Sequence, residues 1–575
     1  MLAVMGPSGA GKSTVLDVLA KRIYASEGKV NVDMKNLTAY VEQSDTLLGV
    51  LTVQETIYFA ARLGLASSTP AQVIHERVGR VLSELGLCDV HNSRIGNPVQ
   101  RGISGGQKRR VTLGAALVTM PRILLLDEPT SGLDSRAGRE VLTAIKKIAL
   151  QHGMIIIASI HQPSWETFSL FDKLLLLAQG RTVYYGVTSG LATYLGDGLG
   201  QPVPKFANPA DRALDFISTD FITDPKERGQ VAADLAARWS FYSRTQPYEN
   251  ELRFSIPRSQ DRSFVRRLRN EDKLQGCTLK ALKRSVQKTQ ILMERNMINY
   301  SRNLLAYGVR IAMYLGMGIL LATVWVNLAQ NSAKINDRLS VHFFSVAFLG
   351  FMSVAGIPAF LEERLVFVRE RMNGLYGPGT YVLANSLVIL PYLFVCVLLF
   401  SVICYWSIGL NPGADQFFRF LGVLFLAVYT AESQSAVVAS MLPNFVASLA
   451  VASFLNGFWM CVGGYFIRAV NLPRFWYYWA HFIDYQTYAF DLLVFNDLHG
   501  ITLACTTLSD GTCFCDYPSS LTAQGQCALT GDDVLEATQA LGIRGISFKL
   551  YAVILLLIAL VYRLLLYIVL VVKKR

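Results

Sequence analysis

Gly6-Pro7-Ser8-Gly9-Ala10-Gly11-Lys12-Ser13-Thr14 comes directly after the apolar run Met1–Met5 and opens a helical pattern at Val15-Leu-Asp-Val-Leu-Ala20. Strand, glycine loop and helix stand in the order G-x-x-x-x-G-K-[ST] of a phosphate-binding loop. Glycines let consecutive backbone N–H groups curl around phosphate oxygens, and the helix amino terminus adds its partial positive charge. Lys12 is placed to reach the β- and γ-phosphates of a nucleotide, and Ser13 to ligate magnesium. The plain alternative is an ordinary glycine-rich turn, and the motifs downstream in the chain decide between the two.

Arg122-Ile-Leu-Leu-Leu-Asp127-Glu128 reads as a buried strand that delivers two carboxylates at its end. Asp127 would hold magnesium through its water shell, and Glu128 would take a proton from the attacking water. Such a pair could merely cap a turn, a reading weakened by the phosphate loop upstream. Between the two lies Ile103-Ser104-Gly105-Gly106-Gln107-Lys108-Arg109-Arg110, which leads into a helix-patterned run.

At this point the chain resembles the ABC ATPases. Their signature L-S-G-G-Q matches Ser104, Gly105, Gly106 and Gln107, with Ile103 in place of leucine. Gln43 in Val41-Glu-Gln-Ser-Asp45 resembles the Q-loop, with catalytic and magnesium-binding roles; Ser131-Gly-Leu-Asp134 resembles the D-loop. His161 in Ala158-Ser-Ile-His-Gln-Pro163 resembles the switch histidine. The resemblance implies a composite site: the P-loop of one protomer holds ATP, and the signature of a second closes over the γ-phosphate. Ser104, Gly105 and Gly106, with a hydroxyl and N–H groups at a helix start, suit a second anion site. ATP and Mg2+ are therefore the expected ligands, and closure on binding is the expected motion.

Hydrophobic residues make up 52% of the 575 and charged residues 17%. The apolar excess lies beyond about Leu304, in runs long enough to cross a bilayer; buried core helices would be shorter and carry charged faces. Hydropathy gives six spans, near Leu305–Leu328, Val341–Leu361, Thr380–Ile408, Phe417–Ser440, Phe445–Ile467 and Leu550–Val572. The expected fold is thus an α/β P-loop ATPase domain over 1–220, a basic linker and connecting helix over 221–304, and an all-α six-helix transmembrane domain over 305–575. Pro391 is expected to kink the third span. The run Phe475–Phe495 is as long as a span but carries Asp484 and Asp491 with many aromatics, so it reads as a re-entrant or interfacial hairpin.

The net charge of +12 could suggest a nucleic-acid partner, but 17 Lys or Arg stand against 8 Asp or Glu between Pro225 and Arg302 alone. A juxtamembrane linker facing anionic lipid explains that cluster better, and no nucleic acid is expected. With no cleavable signal peptide before the glycine loop, the soluble half is expected in the cytoplasm, and Lys573-Lys574-Arg575 returns to the same side. From Arg468 to Phe548 there are only Arg468, Arg474 and Arg544 against eight acidic residues, which reads as the outside. Cys505, Cys513, Cys515 and Cys527 lie there and are expected to form two disulfides rather than a zinc site. Cys513 and Cys515 are too close in sequence to pair, which leaves two connectivities open.

The order of soluble then membrane half resembles the G, or white-type, subfamily of half transporters. Asn208-Pro-Ala-Asp211, the stretch from Arg364 to Tyr376, and Phe475-Trp-Tyr-Tyr-Trp479 carry that likeness. Gly374-Leu-Tyr-Gly-Pro378 and the Cys513-Phe-Cys515 spacing look most like fungal members. Members of the family carry an adenine-stacking aromatic before the P-loop, whereas five residues precede it here. Either this is a shortened product or fragment, or nucleotide is held through its phosphates alone.

The reading is an ATP-hydrolysing half transporter that dimerises with a second half transporter in a lipid bilayer, with the plasma membrane as the expected one, and exports a lipophilic small molecule. Phe344, Phe348 and Phe351 on the second span, with Phe454, Asn456 and Phe458 on the fifth, are the candidate cavity; helix packing or lipid contact is the plainer account of such aromatics. A catalytically silent partner subunit is one rival. A soluble ABC-type chromosome-maintenance ATPase is another, disfavoured because no sustained heptads separate Thr14 from Ser104 and six spans come after. Inside the membrane, Arg310 and Arg419 lie near span ends and are expected to snorkel. Glu432 and Arg563 lie roughly 22 and 20 Å deep and are expected to pair.

Overall fold

The computed structural model describes residues 1–573 apart from 28–36, 98–99, 205–206, 219–223, 246–277, 468–470, 508–512, 523–524 and 538–546. Much of the basic linker, with Arg468, Arg544, Lys574 and Arg575, therefore lies outside the described residues. The chain forms two units. One is Met1–Ile291 with Arg369–Gly377, and the other is Leu292–Val368 with Pro378–Arg575.

The first unit is built on six strands: β1 Leu2–Met5, β2 Thr38–Val41, β3 Ile123–Leu126, β4 Ile155–Ser159, β5 Lys173–Ala178 and β6 Arg181–Val187, in the order β2-β3-β4-β1-β5-β6. The first five are parallel and β6 runs antiparallel to β5. A parallel sheet covered on both faces demands unbroken apolar strands, and β3 is Ile-Leu-Leu-Leu with all four residues buried. Helices α1 Lys12–Leu19, α2 Val53–Gly64, α3 Ala71–Glu84, α4 Gly105–Leu117 and α5 Ser135–His152 belong to the same unit. From β1 the chain goes to β2 on one side, and from β4 it goes to β5 on the other. The crevice at the carboxyl ends of β1 and β4 is thus a topological switch point, where ligands of such sheets bind.

Helix starts are fixed by local chemistry. Thr52 and Glu55 form a reciprocal capping box at α2, and Ser104 and Gln107 form another at α4, so two signature residues also nucleate the helix that carries them. Asp134 caps α5 by accepting from the Ala137 N–H, and α5 stops at Gly153, whose φ of 62° suits glycine.

Among the described residues of the second unit, five helices are long and apolar enough to cross a membrane: Ser332–Met372, Pro378–Ile408, Ala414–Met441, Phe445–Val462 and Phe548–Val572. A sixth apolar helix, Val309–Val324, is shorter and comes after the 25-residue helix Thr278–Arg302. The second span runs well past Leu361. Hydropathy stops where the charges of Glu362–Arg371 begin, but helical backbone continues to Met372 because charged residues are good helix formers. Pro378–Ile408 continues as one helix through Pro391. Arg474–Trp476, a wide turn Tyr477–His481, and Tyr485–Leu498 form the broken segment, with Asp484 capping the last helix.

Burial inside this unit corrects two expectations. Arg310 does not snorkel: it is 2% exposed, and its Nη2 lies 2.6 Å from Glu432 Oε2. Glu432 therefore pairs with Arg310 and not with Arg563. Arg563 instead donates to Asn385 Oδ1 at 3.1 Å and lies 4.8 Å over the ring of Tyr429. Depth alone suggested the wrong partner, because helix rotation decides which charges face each other. Arg419 pairs with Asp415 one turn away and remains partly exposed. A second buried ion pair, with no signal in the sequence, joins Arg338 to Asp497 at 3.0 Å, with His342 at 3.1 Å from the same carboxylate.

Of the two disulfide pairings left open, the structure holds Cys505–Cys515 and Cys513–Cys527, with Cα separations of 4.9 and 5.5 Å. All four sulfurs are thereby occupied, and none is a free thiolate for zinc.

Candidate functional site

The site grows from the end of β1, where Ala3, Val4 and Met5 are fully buried. A Cβ on Gly6 would lie 2.4 Å from the Leu177 carbonyl oxygen, so only glycine fits. Gly9 and Gly11 have φ of 74° and 98°, left-handed values that curl the loop before α1. Gly9 has nothing within 4 Å of where its Cβ would stand, which leaves room beside the backbone. Lys12 bends back over this curl, donating to the Gly6 carbonyl at 2.8 Å and the Pro7 carbonyl at 3.0 Å. Burial lowers its pKa, and the charges of Glu128 and Asp127 work against that shift. The ammonium is held where phosphate oxygens can replace the two carbonyls. Ser8, Ser13 and Thr14 are exposed around it, and Ala10 is buried.

At the end of β3, Asp127 is gripped on both oxygens. Its Oδ1 accepts from Ser13 Oγ at 3.1 Å and Ser159 Oγ at 2.6 Å, and its Oδ2 accepts from the Tyr40 hydroxyl at 3.2 Å. Burial and then the Asp127 charge push that hydroxyl well above the usual phenol range, so it remains a donor. Glu128 sits in a left-handed conformation, φ 44°, that non-glycine residues seldom adopt. Two contacts hold it there: its N–H donates to Ser159 Oγ at 2.8 Å, and its carbonyl accepts from Arg109 Nη2 at 3.1 Å. Backbone strain of this kind persists where the surroundings over-determine it. Its side-chain Oε2 accepts from Gln43 Nε2 at 2.7 Å.

Arg109 is a member of the site that no motif reading singles out. It is 2% exposed, and it donates to the carbonyls of Glu42, Gln43, Asp127, Glu128 and Pro129 and to Asp45 Oδ1. One guanidinium thus ties the signature helix to the Gln43 loop and to the main chain of Asp127 and Glu128. The available signal was its helical position: Arg109 shares a face with Thr112 and Leu113, where a charge is costly unless satisfied. Ser159 and Tyr40 had no signal, since each is an ordinary strand residue.

The remaining expected residues are placed apart. His161 is exposed just beyond β4 and makes no hydrogen bond among the described residues. Ser104 and Gly105 are exposed at the start of α4, Gly106 and Gln107 are half-buried, and Ile103 points into the core at 8% exposure. Asp134 is exposed at the start of α5. No hydrogen bond joins the signature to the P-loop among the described residues.

The hard oxygen donors Ser13, Asp127 and Gln43, beside an open glycine curl and a lysine, fit a magnesium nucleotide. In the membrane unit, the second and fifth helices that carry the six cavity candidates meet where Asn456 reaches Gly350, and the candidates differ in exposure. Phe344 stacks on Trp325 and Phe348, Phe351 and Phe458 are half-buried, and Phe454 is 70% exposed. Asn456 is fully buried and its amide is used internally, accepting from Gln434 and Tyr485 at 3.3 Å each and donating to the Gly350 carbonyl at 3.2 Å.

The family model "ABC transporter" matches residues 1–131, and the model "ABC-2 type transporter" matches residues 287–498. A second ABC-2 type model matches 161–305. The chain is 36% identical to ABC transporter G family member 1 of Petunia hybrida, over 88% of this chain and 80% of that protein. It is 35% identical to ABC transporter G family member 11 of Arabidopsis thaliana, over 87% of this chain and 74% of that protein. These relatives are from plants, and the fungal likeness gains nothing from them. With the P-loop, the carboxylate pair and the signature in one α/β unit and an apolar helical unit after it, the chain belongs to the ABC transporter G family: it is a multi-pass half transporter whose ATPase domain hydrolyses ATP in step with transport.

Proposed function

We propose that this chain dimerises with a second half transporter and uses ATP hydrolysis to export a lipophilic compound, lipid, sterol or xenobiotic, with its ATPase unit in the cytoplasm and the plasma membrane as its site. The observation that carries the chemistry is Glu128. Its backbone is locked by Ser159 and Arg109, and its carboxylate is aimed beside Asp127 and held by Gln43. In this reading Lys12 binds the β- and γ-phosphates of ATP, and Ser13, Gln43 and Asp127 hold magnesium. The metal, when bound, neutralises charge on the phosphates. Glu128 accepts the proton of the attacking water, with His161 facing the γ-phosphate. Ser104, Gly105, Gly106 and Gln107 of α4, with Asp134 at the start of α5, meet the nucleotide of a second chain, which is consistent with their exposure here.

For the cargo, the support is the half-buried and exposed aromatic surface of Phe344, Phe348, Phe351, Phe454 and Phe458, an apolar wall that a second chain would complete. Asn456 is withdrawn from that wall by its internal hydrogen bonds. Low basic content and two disulfides support an outside position for the segment around Cys505–Cys527. The test is vanadate-sensitive ATPase activity of the purified protein in lipid nanodiscs, screened against lipids, sterols and drugs. Stimulation by an apolar compound and its loss in Phe348→Ala is the expected result. ATP binding with no turnover in any condition would instead mark a silent partner subunit.

A further inference from the structure

Tyr40 lies in β2, the edge strand of the sheet among the described residues. An edge strand leaves its outward main-chain groups without a ladder partner. Asn373 takes both. Its Oδ1 accepts from the Tyr40 N–H at 3.3 Å, and its Nδ2 donates to the Tyr40 carbonyl at 3.1 Å. A single side-chain amide thereby stands in for a neighbouring strand. Arg22, beyond the end of α1, braces the arrangement: it donates to Asn373 Oδ1 at 3.4 Å and to Glu42 Oε1 at 2.9 Å, and its guanidinium lies 3.8 Å over the Tyr40 ring.

Asn373 comes from Arg369–Gly377, a stretch that belongs to the ATPase unit although it runs from the end of the helix Ile357–Met372 to the start of the apolar helix Pro378–Ile408. The other end of Tyr40 reaches the catalytic centre, since its hydroxyl is a donor to Asp127 Oδ2. Ser13 and Ser159 both hold the opposite oxygen, so Tyr40 alone among the hydrogen bonds described fixes the carboxylate's second arm. Without it the carboxylate is freer to turn about its terminal torsion, which is broad and two-fold.

We propose that Tyr40 is a positioning residue for the magnesium carboxylate Asp127, and that Asn373 sets the position of Tyr40. Asn373, Tyr40 and Asp127 then form one line of contacts inside the ATPase unit. The inference rests on the role proposed above for Asp127. Outer-shell partners of metal ligands commonly account for 10–100-fold in metal affinity, which sets the scale of the effect.

The experiment uses the full chain in detergent, with Mn2+ titrated in the presence of AMP-PNP and followed by EPR. Tyr40→Phe keeps the ring under Arg22 and both main-chain bonds, so folding is preserved. It is expected to weaken Mn2+ binding by about tenfold while leaving fluorescent-nucleotide binding in EDTA unchanged. Asn373→Ala should weaken Mn2+ in the same direction, and the double variant should be no weaker than Tyr40→Phe alone. Asn373→Asp keeps the acceptor and loses the donor, and replaces the alanine variant if that proves unstable. Asp127→Asn serves as the reference. If it too leaves Mn2+ affinity unchanged, the metal role of Asp127 is wrong. If it weakens Mn2+ and Tyr40→Phe does not, or if the double variant is additive, the present inference is overturned.

Discussion

Arg310 and Glu432, 122 residues apart, form a buried ion pair between the first and fourth apolar helices, with both guanidinium nitrogens Nη1 and Nη2 donating to the two carboxylate oxygens at 3.4 and 2.6 Å. Around them lies a small cavity of about 20 Å³, room for a water, lined also by Tyr307, Glu363, Asn385 and Arg563. Arg310 and Glu432 offset each other's desolvation in such a place.

Removing one partner should therefore cost far more than removing both. Arg310→Gln or Glu432→Gln alone is expected to destabilise the membrane unit by about 3–5 kcal/mol, by leaving one buried charge unmatched. The double variant should recover a substantial part. Thermal unfolding in detergent checks this, and strictly additive losses would count against the pair as a direct contact.

Glu128→Gln should abolish steady-state hydrolysis while preserving ATP-induced closure, since the amide keeps the shape and cannot accept the proton. Lys12→Ala should instead weaken nucleotide binding itself, through loss of a charge-assisted contact to phosphate. Turnover near wild type in Glu128→Gln would remove Glu128 from its role. Nucleotide affinity unchanged in Lys12→Ala would do the same for Lys12.

Arg109→Lys should behave more like a loss than a conservative change. A lysine keeps the charge but has no planar fork to serve acceptors from Glu42 to Pro129. The expected outcome is a stability loss of at least about 2 kcal/mol and a fall in kcat larger than any change in KM for ATP. Both are read from the same purified sample by thermal unfolding and steady-state kinetics. An unaltered kcat would limit Arg109 to a packing role.

Non-reduced peptide mapping should return Cys505 joined to Cys515 and Cys513 joined to Cys527. Cys513→Ser is then expected to free Cys527 and to destabilise this segment by roughly 2–5 kcal/mol. Recovery of a Cys505–Cys513 peptide from wild-type protein would refute the connectivity.

The ATPase chemistry was legible because phosphate recognition is local. A glycine curl, the lysine after it and the helix it starts are contiguous in sequence, so Gly6–Thr14 could be read without a fold. The placing of Asp127 and Glu128 at a strand end was legible for the same reason, since they stand directly after Ile-Leu-Leu-Leu of β3. Membrane crossings could be found because the bilayer imposes a length, although hydropathy put the second span's end at Leu361 and the helix runs on to Met372.

What sequence could not supply is facing. Glu432 and Arg563 match in depth, yet depth is one coordinate, and the rotation of each helix about its axis is set by packing with all its neighbours. That rotation turns Glu432 to Arg310 and leaves Arg563 on Asn385. The same limit hid Asp497 from Arg338, Tyr40 from Asp127 and Asn373 from Tyr40, since a hydrogen bond between residues far apart in the chain leaves no mark in the local pattern of either side. Of the disulfides, sequence excluded one pairing by short-range geometry, and only the folded loop, which brings Cys505 beside Cys515, chose between the other two. The sequence by itself thus determined that this chain carries an ATPase of the ABC type and, after it, a series of apolar helices, five of them long enough to cross a membrane among the described residues. The tertiary structure decided which charge answers which, because that choice depends on distances that exist only after the helices and strands have packed.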